Sequence, residues 1–235
     1  MSNSTADNRI DFLDIMASTL HDTKNSLGML SNTLAEIIER SKKRDGTLFR
    51  EFNMLQYEIR RLNHNQIRLL SLYKAERSQF SVNVDLHSVS ECIEEIVLQN
   101  DPILSSKGIE IEVSCPETLF WAFDRGLVSG ILDNVLNNAF RYARKKVKLS
   151  VAKEDSYILF RLEDDGPGYP ETMLDGSRKG HVFKGTVDFD TGSTGLGLYF
   201  ASLVARSHTN KERKGYIAIN NGGALGGGVF SVYIP

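Results

Sequence analysis

The stretch Leu20-His21-Asp22-Thr23-Lys24-Asn25-Ser26-Leu27 lies inside an unbroken helical stripe, and its reading decides the first third of the fold. On either side of it apolar residues step by three and four: Ile10, Leu13, Ala17, Leu20, Leu27, Leu34 and Ile38, with Lys24 and Ser31 as the polar seam positions. That spacing lays the side chains along one side of a helix in heptad register. It predicts a helix to about residue 42, roughly 50 Å long at ~1.5 Å per residue. Arg44-Asp45-Gly46-Thr47 reads as a turn with Thr47 as the next N-cap. A second stripe follows: Leu48, Phe52, Leu55, Ile59, Leu62, Leu69 and Tyr73, with Gln66 as its polar member. Two long helices and a short loop make an antiparallel hairpin, which cannot cover both stripes by itself. A second copy would complete a four-helix bundle, so a homodimer is expected.

His21 directly follows the seam residue Leu20, which puts it beside the buried stripe with its imidazole toward solvent. A lone helix histidine so placed is ordinarily only solvated. Asp22 changes the reading, because a neighbouring carboxylate can take the proton of one ring nitrogen and leave the other as a nucleophile. Asn25, one turn beyond Asp22, falls on the same face, where an amide could hold a water.

Near Gln79 the pattern changes to short period-two segments, Ile109-Ile111-Val113, Val147-Leu149-Val151, Ile158-Phe160-Leu162 and Val229 to Ile234. Helical segments alternate with them at roughly 87–105, 125–143 and 196–208. The mixture predicts an α/β sandwich, a sheet with helices on one face. The fold class expected is therefore α+β: a helical hairpin over 8–79 and an α/β sandwich over 80–235.

Three motifs in this second part carry nucleotide chemistry. Asn134-Val135-Leu136-Asn137-Asn138-Ala139-Phe140-Arg141-Tyr142 sets Asn134, Asn138 and Arg141 on one helix face. Magnesium bound to ATP takes few protein oxygens and keeps its waters, and an Asn carbonyl is such a ligand without added negative charge. Arg141 can bind a phosphate oxygen, and Tyr142 offers the base a wall or stacking face. Asp164-Asp165-Gly166-Pro167-Gly168 follows the strand ending at Leu162. A carboxylate there can accept the amine of adenine, while Gly166 and Gly168 let the backbone come close. Ser193-Thr194-Gly195-Leu196-Gly197-Leu198 opens the helix to Ser207, so its amides can cradle phosphate at a positive helix end. It is a poor dinucleotide fingerprint, lacking the third glycine and any first strand before it. Between the glycine motifs, residues 171–191 carry Gly176, Gly180 and Gly185, with Arg178, Lys179 and Lys184 available to a γ-phosphate. That is the composition of a nucleotide lid.

The 235 residues suffice for two modest cores, and a net charge of −2 supplies no basic field for nucleic acid. The two cysteines, Cys92 and Cys115, form no CxxC pair, so neither a disulfide framework nor a zinc site is indicated. No apolar run approaches the ~18 residues of a membrane span, and the first residues do not read as a signal peptide. A cytoplasmic protein with no membrane and no nucleic-acid partner is expected.

Taken in order, these motifs resemble those of bacterial two-component sensor histidine kinases from residue 8 to 235. The His21 run resembles the family's phosphoacceptor box, Asn134 to Tyr142 its asparagine box, and the 164–168 and 193–198 segments its two glycine boxes. The resemblance implies a Bergerat-type ATP-binding fold shared with DNA gyrase and mismatch-repair ATPases, using ATP and magnesium. It implies His21 as phosphoacceptor, Asp22 as its acid/base, Asn25 as a phosphatase residue, Asn138 as magnesium ligand and Asp164 as adenine acceptor. It also implies a response-regulator receiver as partner. Ser26 stands where many members have proline, and Ser193 where glycine is common. No sensor region precedes Asp11, so input is expected from a separate sensor protein or from a region outside this chain. The alternative is a histidine phosphotransferase or scaffold whose ATP domain no longer turns over. An ATPase of the same fold acting as chaperone or on DNA is a third reading, but it should lack the His21 hairpin.

Overall fold

The computed structural model describes residues 12–41, 46–174 and 196–235, with side chains throughout except at 12–22, 24, 40–41 and 46–50. The chain divides into two compact units, Met1–Phe80 and Ser81–Pro235.

Unit 1 is a helical hairpin of α1 (Phe12–Ser41) and α2 (Gly46–Glu76), packed on each other. Leu27, Leu34 and Ile38 of the first stripe are buried in it, as are Tyr57 and Ser71 of α2. Gly46 is already helical, one residue ahead of the N-cap expected at Thr47. The second stripe behaves differently from the first. Leu55, Leu62 and Leu69, spaced by seven, are exposed, and so are Met29, Leu30 and Ile37 of α1.

Unit 2 runs β1 (Asp85–Ser88), α3 (Val89–Lys107), β2 (Glu110–Ser114), β3 (Phe120–Phe123), α4 (Arg125–Tyr142), β4 (Lys146–Glu154) and β5 (Tyr157–Asp164). It continues with α5 (Glu171–Leu174), α6 (Leu196–Ser207), β6 (Thr209–Asn210), β7 (Arg213–Lys214), β8 (Tyr216–Asn221) and β9 (Gly228–Ile234). The main sheet has the order β2-β4-β5-β9-β8, with β2 parallel to β4 and the other pairs antiparallel. A parallel pair needs a long crossover, and here it carries β3 and α4. Strands β1 and β3 form a separate antiparallel ribbon.

Register explains the core. Directly opposed residues share a face, and the rows Leu149, Leu162, Phe230, Ile219 and Val151, Phe160, Val232, Ile217 are buried throughout. Helices α4 and α6 pack on each other, and both also pack on sheet strands. The opposite face carries Ser150, Arg161, Ser231 and Ala218 in one row, and Tyr233 with Tyr216 in the next. Tyr216 and Tyr233 stack at 4.3 Å between ring centroids, with Tyr157 edge-on to both.

Helix ends in unit 2 are chemically marked. Ser88 accepts the Glu91 amide at the start of α3, and Gly108 at φ 62° closes it, where the left-handed conformation favours glycine. Asp124 caps α4 by accepting the Leu127 amide at 3.0 Å.

Candidate functional site

Helix α4 supplies the central wall. Val128, Ile131, Leu132, Val135, Leu136, Ala139 and Phe140 bury one face in the core. The remaining face presents Asn134 half-buried, with Asn138, Arg141 and Tyr142 exposed. The Arg141 guanidinium lies 5.7 Å from the centroid of the Tyr142 ring. Asp133, on the buried side, accepts from Asn100 of α3 at 2.9 Å. Its own carbonyl accepts Asn137 at 2.7 Å, so Asn137 turns back on the helix instead of toward a ligand.

The first glycine motif is built onto the end of this helix. Strand β5 extends two residues beyond Leu162 and ends with Asp164. The two acids that follow each other there divide the labour. Asp165 grips the loop after α4, accepting the Arg144 amide at 2.7 Å and the Lys145 amide at 3.0 Å. Desolvation pushes its carboxyl up, but the amides of Lys145, Lys146 and Arg144 outweigh this and hold it below the usual carboxylate range. Asp164 uses Oδ1 for the amides of Gly166 and Gly228, at 2.8 and 3.2 Å. Its Oδ2 accepts nothing from the described residues and lies beside Gly228 and the Tyr169 ring. One carboxylate oxygen is therefore fixed and the other left for an outside donor.

Glycines mark the close approaches. A Cβ on Gly166 would lie 2.6 Å from the Tyr142 carbonyl, so the motif meets the end of α4 backbone to backbone. A Cβ on Gly197 would lie 2.6 Å from Asn134 Nδ2, so the first turn of α6 presses on α4 at the asparagine motif. A Cβ on Gly227 would collide with the Asp164 carbonyl. That carbonyl accepts the Gly227 amide at 3.0 Å. Tyr169 is pushed well above the usual phenol range, by burial first and then by the Asp164 charge.

The structure thus brings together Asn134, Asn138, Arg141, Tyr142, Asp164, Gly166, Gly168, Leu196 and Gly197 within unit 2. Ser193, Thr194 and Gly195 lie outside the described residues, as does the lid composition over 175–191. His21 and Asp22 are on α1, with side chains outside that description, and Asn25 is an exposed residue of the same helix.

The contacts of four positions escaped the sequence. Asn221 holds the backbone beside the motif from far away in the chain, while Glu163 and Asp165, next to and within the motif, hold segments distant in sequence. Glu163 is buried and accepts the Ala224 amide at 2.8 Å. His208 is buried behind α6. Its Nε2 accepts the Asp124 amide at 2.9 Å, which requires the neutral ring, and Nδ1 then donates to the Val204 carbonyl at 2.8 Å. Burial lowers its pKa, opposed by the Val204 bond and the Asp124 charge. Asp124 Oδ2 also accepts the Asn83 amide at 2.8 Å, so one residue ties together the start of unit 2, α4 and α6. A histidine at a helix end was visible in the sequence, but its partners lie 84 and 4 residues away and only the latter is local.

The donor set fits magnesium and an adenine nucleotide. Among the described residues no group of three or more His, Cys, Asp or Glu side chains could hold a bare metal ion. The ion would arrive with the triphosphate, and the exposed Asn138 amide supplies a hard, neutral oxygen of the kind it takes.

Residues 124–235 match the family described as histidine kinase-, DNA gyrase B- and HSP90-like ATPase. Over 227 residues the chain is 23% identical to the sensor histidine kinase TmoS of Ectopseudomonas mendocina, covering 94% of this chain and 23% of that protein. It is 25% identical over 210 residues to the sensor protein kinase WalK of Staphylococcus aureus, covering 84% of this chain and 49% of that protein. Among solved structures, the Acinetobacter baumannii histidine kinase AdeS superposes with a TM-score of 0.57 at 24% identity, covering 91% of this chain and 96% of that one. Full-length ShkA in complex with AMPPNP gives a TM-score of 0.57 at 20% identity, covering 94% of this chain and 45% of that one. The fold is that of these proteins. The chain spans half or less of the length of the two relatives named. No described helix is long and apolar enough to cross a membrane.

Proposed function

We propose that this chain, whose residues 124–235 belong to the histidine kinase-, DNA gyrase B- and HSP90-like ATPases, is the dimeric core of a two-component histidine kinase. Unit 2 binds ATP, and His21 of unit 1 takes its γ-phosphoryl group. The observation that carries the reading is the geometry at Asp164: Oδ1 locked by two amides, Oδ2 left open beside a half-buried aromatic ring. An oriented carboxylate oxygen of this kind selects an exocyclic amine, and the glycines around it bring the backbone within reach of a flat base.

In the reaction a ring nitrogen of His21 attacks the γ-phosphorus, and the bond from that phosphorus to the β,γ-bridging oxygen breaks, releasing ADP. Asp22 accepts the proton of the other ring nitrogen. Magnesium, bound with the nucleotide, neutralises charge on the phosphates. Asn138 would hold that ion, Arg141 would bind a phosphate oxygen, and Tyr142 would border the base. The phosphorus–nitrogen bond keeps a high transfer potential, so His21 hands its phosphoryl group to an aspartate of a response-regulator receiver. Asn25, exposed on the same helix, positions a water for hydrolysis of the receiver's acyl phosphate, a task that asks for placement more than basicity. The input comes from a separate sensor protein or from a region outside this chain, and the site of action is the cytoplasm.

Dimerisation follows from the hairpin's surface. Leu55, Leu62 and Leu69 form a second apolar seam that the partner helix leaves uncovered, and a four-helix bundle with another copy would bury it. The test of the whole reading is radiolabelled ATP with wild type and His21→Ala. Wild type should label and His21→Ala should not, while both still bind a fluorescent ATP analogue. Label retained on the variant would overturn the assignment of His21. Nucleotide binding without any labelling of wild type would instead favour a scaffold whose ATP domain no longer turns over.

A further inference from the structure

The Asp164–Gly168 motif has two walls, and only one of them comes from the motifs already described. The other is the end of the edge strand β8. Asn221 Oδ1 accepts the Tyr169 amide at 2.7 Å, and Asn221 Nδ2 donates to the Tyr169 carbonyl at 2.8 Å. A single side chain therefore satisfies both backbone groups of one residue, the pairing that a neighbouring strand would otherwise make. The residue so held has consequences. Gly168 before it stands at φ 82°, and a Cβ there would lie 2.6 Å from Asn221 Oδ1, so the turn fits only glycine and only with Asn221 against it. The Tyr169 ring lies against Gly228, where a Cβ would be 2.9 Å from Asp164 Oδ2 and 3.2 Å from Tyr169 Cε2.

We infer that Asn221 is a positioning residue for adenine recognition: its amide clamps the backbone of Tyr169 so that the ring stands beside Asp164 Oδ2 and fixes the direction in which that oxygen accepts. The inference rests on the ATP-binding reading of this site and names a residue that acts through Tyr169 without touching the nucleotide. Chemistry supports the choice of side chain. Asparagine offers an acceptor and a donor on one planar group at the spacing of a peptide unit. Aspartate at the same place could still accept from the Tyr169 amide but would face the Tyr169 carbonyl with a second acceptor. Alanine would release both groups to water. Asn221 itself is exposed, so its loss opens no cavity in the core.

The experiment titrates the full-length chain with a fluorescent ATP analogue and competes it off with ATP and with GTP. Variants are Asn221→Ala, Asn221→Asp and, as a control for strand disturbance, the neighbouring exposed Asn220→Ala. Loss of two neutral hydrogen bonds at one point sets the scale, about five- to twentyfold in affinity. Asn221→Ala should weaken ATP by that factor and narrow the preference for ATP over GTP, with Asn221→Asp intermediate and Asn220→Ala like wild type. In the autophosphorylation assay the change should appear in KM for ATP, with kcat at saturating ATP nearly unchanged. A merely structural residue would lower the melting temperature and leave the ATP-to-GTP ratio alone, and that result would overturn the inference. Should Asn221→Ala not fold, Asn221→Asp decides by the same ratio. Failure of wild type to bind ATP would be a failure of the ATP reading, visible before any variant is measured.

Discussion

The two units solve burial in opposite ways. Unit 2 closes on itself: Phe123, Phe160, Phe200 and Phe230 have almost no exposed surface, and two cross-strand rows are covered by helices. Unit 1 buries one seam and displays another, with Leu30 56% and Leu55 54% exposed. Apolar residues thus yield a self-sufficient core in one case and an uncovered seam in the other. The difference accords with the proposed function, in which the nucleotide site is complete within one copy while the hairpin that carries His21 calls for two.

Breaking the seam should produce the largest effect. The double variant Leu55→Asp/Leu62→Asp should shift the full chain from twice 26.3 kDa to 26.3 kDa by light scattering at micromolar concentration. Residues 81–235 alone should already be monomeric and should still bind the ATP analogue. A wild-type chain at the monomer mass would remove the contrast between the units altogether. Next comes core truncation. Phe160→Ala, whose ring meets Phe123 edge-on at 6.0 Å, should cost unit 2 about 3–5 kcal/mol in urea unfolding. The site itself ranks third. Asp164→Asn should weaken ATP by about 1.5–3 kcal/mol, roughly ten- to a hundredfold, with little loss of unit 2 stability. Equal titrations for the variant and wild type would detach adenine recognition from Asp164.

The smallest effect concerns pH. His208 is held neutral, so its pKa is lower in the folded state than in the unfolded one. The unfolded chain then binds more protons as pH falls, and stability present above the ordinary histidine range is lost on acidification through it. The melting temperature of residues 81–235 should fall between pH 7 and pH 5, with a slope below the one-proton ceiling of about 1.4 kcal/mol per pH unit. Other groups face this ring: the Asp124 carboxylate, whose charge works against the neutral form, is the one that matters to the sign. His208→Gln, which keeps a donor and an acceptor without titrating, should flatten that slope. An unchanged slope would mean that other groups carry it.

What the sequence disclosed was whatever depends on neighbours in the chain. Heptad spacing located α1 and α2, and period-two alternation located β4, β5 and β9 because alternate residues of each fill the buried cross-strand rows. The helix expected near 87–105 appears as α3 two residues later at both ends, and that expected near 125–143 as α4 with the same start and an end one residue earlier, the starts set by the caps Ser88 and Asp124. Strands β1 and β3 gave no such signal. They form a four-residue ribbon whose outward residues Leu86 and Phe120 are apolar, so inside and outside do not alternate. The site followed the same rule. Asn134, Asn138 and Asp164 stood out through local motif and spacing, while Asn221 acts across 52 residues of chain and looks in sequence like any polar strand end. Asp165 was quoted as part of a motif, but its work on the loop after α4 is a contact made only once β5 lies beside β4.

The place of β9 in the sheet bears on how the molecule is made. It lies between β5 and β8, and it brings Gly228 to Asp164. Until residues 228–234 have left the ribosome, Phe160 and Leu162 have no partner on one side, and the Asp164 carboxylate lacks one of its two locking amides. The hairpin of residues 12–76 has no such dependence on late segments, and structures with near-neighbour contacts form fast. Under the proposed function, the leucine seam of the hairpin is therefore complete in a growing chain before the pocket at Asp164 is.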